Sequence, residues 1–311
     1  MSRRNYGLLR TSIALSAMMS TLGWSEPLHA GPAVHQFEVK RLETEAGEVE
    51  LQSQNAYAWG EPRRRFVEEE PGEFVFEDNT VTPQRNALEV EASLTNFFRT
   101  RLGIEFEKEW LEEPSTPAEA NAYGPWELTE LAVEGVLVLV PIKANSVGVG
   151  LLSEFEHPVT GEANTILGGP IIEARLGPWT ATANLVVTKY FGGEADDGIR
   201  DNKLDFTYAA QMAYEASDKW LLTIEAYGTI DRLGNSGTRT EETLLFGDHD
   251  QHRIGPVIYY ELPLARELGG ESIGKSDQDE GATTTLGVGL LAGLNENTPS
   301  TTLKLSLELD Y

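Results

Sequence analysis

The chain has 311 residues, carries 50 acidic against 24 basic side chains for a formal charge of −26, and contains no cysteine. Such an acidic balance excludes the basic footprint of a nucleic-acid binder, and equally a basic patch docking on anionic lipid. Without cysteine there is neither a disulfide framework nor thiol chemistry, so stability has to come from the way the 40% hydrophobic residues are placed.

The first residues carry Arg3 and Arg4, an apolar or small stretch follows Arg10, and Leu28-His29-Ala30 closes the segment. That is the layout of a secretory signal peptide, with an apolar core too short for a membrane-spanning helix. Residues 1–30 are therefore expected to be removed after Ala30. The mature chain, 31–311, is then two charges more negative, since three arginines and one glutamate leave with the leader. Residues 31–47 read as a periplasmic N-terminal segment ahead of the first strand.

From Ala87 the chain alternates with period two. Leu88, Val90, Ala92 and Leu94 stand against Glu89, Glu91, Ser93 and Thr95, and after a short turn Leu102, Ile104, Phe106 and Trp110 stand against Gly103, Glu105, Glu107 and Glu109. Each run is a strand with one apolar and one acidic face. The same device recurs around Gly177-Pro178, from Leu204 to Glu215, and from Trp220 to Tyr227. Twelve strands follow, near 48–58, 86–95, 101–110, 126–140, 146–156, 163–176, 179–191, 203–215, 220–230, 250–262, 283–294 and 301–311. Their lengths suit tilted membrane strands, and connections alternate between short turns and long polar loops, as periplasmic turns and outer loops do. The long polar segment 263–282 falls on the side where short turns are expected. Pro170 and Pro256 lie within strands behind Gly169 and Gly255, which predicts bulges or kinks near a barrel rim.

The last strand alternates Leu303, Leu305, Leu307, Leu309 and Tyr311 with Thr302, Lys304, Ser306, Glu308 and Asp310. It resembles the terminal strand by which the barrel-insertion machinery recognises outer-membrane proteins, with tyrosine in place of the more usual phenylalanine. The fold class expected is therefore all-β, an antiparallel up-and-down barrel of about 12 strands in the outer membrane of a Gram-negative bacterium. Trp59, Trp110, Trp179, Trp220 and Tyr311 sit near strand ends, where interface girdles form. Outer-membrane lipid and lipopolysaccharide are the expected surroundings.

The opposite register collects charge. Glu89, Glu91, Glu105, Glu107, Glu109, Glu134, Glu173, Glu225 and Glu308, with Arg175, Arg253 and Lys304 as counter-charges, are the candidates for lining a lumen and setting its selectivity. Carboxylate rings attract cations and repel anions, whereas charge pairs across a narrow lumen would plug it. His249 and His252 form the one histidine cluster, but it leads into a strand with few further ligands nearby, so no metal site and no cofactor are expected. No nucleophile stands beside a histidine in a recognisable motif, which ranks an outer-membrane hydrolase last.

Several stretches resemble a known group: Glu45-Ala46-Gly47-Glu48-Val49-Glu50-Leu51, Ala87-Leu88-Glu89-Val90-Glu91-Ala92, Gly168-Gly169-Pro170-Ile171-Ile172-Glu173, the run from His252 to Tyr260, and the terminal strand. They look like a family of proteobacterial outer-membrane barrels loosely similar to transporter-like proteins found with phenol meta-pathway degradation genes. The resemblance implies a barrel and transport of small molecules, and it carries no catalytic residue.

Overall fold

The structure, a computed structural model, describes residues 37–60, 65–70, 73–77, 84–108, 122–159, 163–192, 203–230, 232–233, 236, 250–263, 282–296 and 298–311. The strands are β1 (Val49–Trp59), β2 (Arg65–Glu70), β3 (Glu73–Glu77), β4 (Gln84–Thr95), β5 (Phe98–Lys108), β6 (Glu127–Val140) and β7 (Val147–Pro158). They continue as β8 (Asn164–Leu176), β9 (Trp179–Phe191), β10 (Leu204–Ser217), β11 (Trp220–Ile230), β12 (Gln251–Pro263), β13 (Thr283–Gly293) and β14 (Thr301–Asp310).

All except β2 and β3 form one closed antiparallel barrel of twelve strands, and β2 and β3 pair with each other as a separate hairpin within the β1–β4 connection. Closure is made by β1, which pairs with β4 on one side and with β14 on the other, from Glu50 opposite Asp310 to Trp59 opposite Thr301. A closed sheet leaves no row of unpaired backbone groups, the condition for strands to cross lipid. The turns after β4, β6, β8 and β10 are short and lie on the rim where β1 begins and β14 ends; by the asymmetry of such barrels this rim is periplasmic. β12 ends and β13 begins on the same rim, and segment 264–281 between them lies outside the described residues.

Register decides which side of each strand meets lipid. Leu88, Val90, Leu102, Met212, Ile224, Val288 and Leu290 point outward and are exposed, while their neighbours Glu89, Glu91, Arg101, Gln211, Thr223, Glu225 and Leu291 are buried inside. Apolar residues displayed around the whole exterior make this a transmembrane barrel of the outer-membrane type, and the outer membrane is where it resides. Near the periplasmic rim the tilted ring pairs Trp179–Tyr214, at 4.8 Å, and Trp220–Tyr260, at 4.4 Å, lie where an interfacial girdle is expected. Trp59 and Tyr311 are also exposed at strand ends, while Trp110 lies outside the described residues.

The two prolines sit differently from the sequence expectation. Register is constant through Gly169-Pro170 and Gly255-Pro256, but ladder pairing lapses there against β9 and β13. A side-chain carbon at Gly169 would lie 1.8 Å from the Leu185 carbonyl oxygen, and one at Gly255 1.9 Å from that of Leu290. Close backbone contact, rather than an inserted residue, accommodates the missing proline donor, and it does so within the strands instead of at the rim.

A second departure concerns residues 31–47, expected in the periplasm. Of the described part, residues 37–42 lie inside the barrel, while 43–46 lie at the rim, where Glu43, Glu45 and Ala46 are exposed. Gly47, at φ +97°, turns the chain at the periplasmic rim, and its amide donates to the Ser93 carbonyl at 2.8 Å. The preceding residues run up the lumen, with Phe37 and Leu42 both under 4% exposed. Thus the core is within the barrel: Phe37 and Val39 pack with Ala56, Ala209, Tyr227, Val257 and Leu291, and Leu42 packs with Val136, Leu152, Leu167, Ile171 and Val186.

Candidate functional site: the lumen and its inner segment

The inward face divides into two walls. On β4 to β7 it carries Glu89, Glu91, Glu105, Glu107, Glu134, Glu154 and Glu156, all buried, whereas on β9 it is Thr180, Thr182, Asn184, Val186 and Thr188. Among the described residues eleven buried carboxylates face six buried cations: Glu89, Glu91, Glu105, Glu107, Glu134, Glu154, Glu156, Glu173, Asp205, Glu225 and Asp250 against Lys40, Arg85, Arg99, Arg101, Arg253 and Lys304. Every described lumen residue expected from the sequence faces inward. Glu308 joins Glu50 and Asp310 near the periplasmic rim, and Glu109 lies outside the described residues.

Counter-charges are spent in three groups. Arg85 bridges Glu105 and Glu107 towards the outer mouth. At mid-depth Arg101 contacts Glu38 at 2.5 Å, Glu89 at 2.8 Å and Glu91 at 2.9 Å, while Lys40 contacts Glu38 at 2.6 Å and Glu134 at 2.8 Å. Across the lumen, Lys304 donates to Glu225 at 2.7 Å and to the Tyr227 and Tyr259 hydroxyls, and Glu225 also accepts from Gln211 and Thr223. Arg253 lies over the Phe37 ring at 5.0 Å and donates to Gln251 and Thr302. Burying charges requires such pairing, because an isolated buried ion is costly.

The inner segment is threaded between the walls by its backbone as well as its charges. Lys40 donates its amide to Asn184 Oδ1 at 2.7 Å and accepts from Asn184 Nδ2 at 2.9 Å, and the Leu42 amide donates to Glu173 at 3.0 Å. Arg99 donates to the carbonyls of Arg41 and Glu43, both at 2.8 Å. Leu42 itself sits over two glycines of β7. A side-chain carbon at Gly148 would lie 2.8 Å from Leu42 Cδ1, and one at Gly150 2.6 Å from Leu42 Cδ2. These glycines form its socket.

Lower down, Arg175 reaches from β8 to Glu43. Burial would raise the Glu43 carboxyl, but Arg41 and the hydrogen bond and charge of Arg175 outweigh it and hold the group below its ordinary value. Glu48, with Asp310 as its neighbour, is raised instead, by burial first and by the like charge second.

Sequence reading missed the segment and Lys40 because 37–46 has no strand periodicity, and nothing in it sets Glu154 apart from the other inward carboxylates. The signals present were the Gly148-Val149-Gly150 alternation and the apolar residues Val136, Val138, Leu152 and Val186 in the inward register. Of the histidine pair, His249 lies outside the described residues. His252 is buried near the outer rim, its Nδ1 3.1 Å from the Tyr208 hydroxyl.

The described cavity, about 30 Å³, lies between the segment and the walls and is lined by Glu38, Lys40, Leu152, Glu154, Leu167, Asn184, Val186, Thr188, Thr207 and Ala209. That is room for a water or two, or for one small ion.

These features define a class: a closed outer-membrane β-barrel whose charged lumen is narrowed by its own N-terminal segment. No family model and no curated protein matches the sequence. Among solved structures the chain is similar to an outer-membrane channel from Pseudomonas putida F1, at 12% identity over 88% of this chain and 99% of that one, with a TM-score of 0.54. It is also similar to the NanC porin (7% identity, 84% and 98% of the two chains, TM-score 0.48) and to the KdgM porin (9% identity, 84% and 98%, TM-score 0.42). At 12% identity the likeness to the Pseudomonas putida channel shows the barrel fold alone.

Proposed function

We propose that the barrel is a narrow passive channel for small solutes, preferring cations, with residues 37–42 forming its constriction. The observation that carries this reading is the excess of buried inward carboxylates over buried cations on a continuous wall from the outer mouth to mid-lumen. A water-filled path along such a wall concentrates cations and repels anions.

One observation favours a second reading, an envelope-integrity barrel with a plugged lumen: the segment is held from both walls. Planar-bilayer recording of the full mature chain separates the two. A channel gives steady current and a reversal potential on the cation side under a salt gradient, and a persistently silent bilayer removes the channel reading. Glu105→Gln with Glu107→Gln removes two inward negative charges beside Arg85, so the permeability ratio should move towards anions. An unchanged ratio would exclude these two residues as the filter.

A further inference from the structure

The mid-lumen charge cluster does not balance. Lys40 and Arg101 are shared among Glu38, Glu89, Glu91 and Glu134, with Arg99 adding a contact to Glu91 at 3.2 Å. Glu154 stands opposite Glu134 in the β6–β7 register and is 5% exposed. Its Oε2 is buried without a hydrogen-bond partner among the described residues. The same side chain lines the cavity between the inner segment and the wall, where the hydroxyl-bearing side chains of Thr188 and Thr207 lie as well. A buried carboxylate next to other carboxylates, open to a small void and with one oxygen unserved by any described donor, is strongly disfavoured unless something positive joins it.

We propose that Glu154 and this cavity form a binding site for one monovalent cation of alkali-metal size, seated beside the ammonium of Lys40. The ion class follows from the surroundings. A divalent hard cation gathers six to eight oxygen ligands, commonly several of them carboxylate. Here one carboxylate is unclaimed, and Lys40 and Arg101 already hold the others. The volume admits an ion with at most a water or two and excludes large organic cations. Lys40 then acts as a tethered neighbour of the ion: the protein ammonium neutralises Glu38 and Glu134, and the free cation neutralises Glu154. The site gives the cation preference proposed above a definite resting place and rests on that reading only for its place along a conduction path. Binding itself requires no through-flow.

The test is thermal unfolding of the full mature chain in detergent, in chloride salts of potassium, sodium or N-methylglucamine at matched ionic strength. A ligand that binds only the folded state raises its stability by mass action. The midpoint should rise by roughly 3 °C in the alkali salts relative to the large organic cation, and Glu154→Gln should abolish the difference while folding normally in N-methylglucamine. Equilibrium binding of radioactive rubidium, present for wild type and absent for the variant, is the second readout. A wild type with no salt-specific difference and no bound rubidium overturns the site, as does a Gln variant that keeps both. Bilayer recording separates the two proposals. A silent barrel that binds rubidium through Glu154 retains the site and loses the channel, and a cation-selective barrel that binds none does the reverse.

Discussion

Replacing Lys40 by methionine removes the ammonium from the inner segment while keeping a stem of similar length. In the native lumen that ammonium lies 2.8 Å from Glu134 and 2.6 Å from Glu38, and the Lys40 and Glu134 side chains are 3% and 2% exposed. Taking one partner from a buried pair costs about 3–5 kcal/mol, here felt mainly at Glu134, which stays buried with Arg101 at 3.8 Å as its remaining counter-charge, while Glu38 keeps Arg101 at 2.5 Å. Part of that strain is relieved if the segment leaves the lumen and water enters. At about 1.4 kcal/mol per tenfold, the ratio of segment-in to segment-out should fall by roughly a hundred- to a thousand-fold. Trypsin offers a direct assay, since Arg41 lies in the same segment and a protease cannot enter a barrel of this width. In wild type, mass spectrometry should find the bond after Arg41 intact; in Lys40→Met it should be cut while the barrel stays folded. Equal protection of Arg41 in a folded variant would refute the view that this ion network holds the segment in place.

Gly150→Ala puts a carbon 2.6 Å from Leu42 Cδ2 and 3.0 Å from the Leu137 carbonyl oxygen. Overpacking of this kind costs about 1–3 kcal/mol, and because Leu42 can yield while the wall cannot, exposure of Arg41 should rise with little change in heat resistance of the barrel; the reverse pattern would remove the socket. Acidification should loosen the lower end of the segment. Glu43 is held below its ordinary value of 4.5 by Arg41 and Arg175, so its contribution is complete above 4.5 and is lost as pH falls through the lowered folded value. Protection factors of the amides of 41–46, with the intrinsic pH dependence of exchange divided out, should therefore fall on that descent and hold from pH 7 to 5, and in Glu43→Gln the extra loss below 4.5 should vanish.

The barrel was legible because period-two alternation is a direct imprint of one face in lipid and one in the lumen. Leu88 to Leu94 and Leu303 to Leu309 each show it without interruption, and all twelve barrel strands lie within a few residues of their expected limits. The hairpin β2–β3 escaped because it lies inside what reads as one long outer connection. The inner segment escaped for a deeper reason. Its place depends on contacts between residues more than a hundred positions apart, such as Lys40 with Asn184 and Leu42 with Glu173, and no local pattern encodes them. The inward carboxylates could be counted from register alone, but which of them keeps a cation and which is left over depends on Lys40 entering the lumen. Glu154 therefore became distinctive only in three dimensions.

The account depends on β1 and β14 meeting to close the wall. Val49 and Tyr311 exchange both backbone hydrogen bonds, so by alternation Gln54 and Ser306 form a close, non-hydrogen-bonded pair across that seam. In a chain without cysteine, Gln54→Cys with Ser306→Cys introduces the only two thiols. Spacing across such a pair, about 4.5 Å between Cα atoms, falls within disulfide range. Oxidation of the folded protein in native outer membranes should join them into one intramolecular disulfide that survives denaturation as a faster-migrating band. Two thiols that stay free to alkylation in folded, membrane-embedded protein would show that the seam is open and contradict the closed lumen.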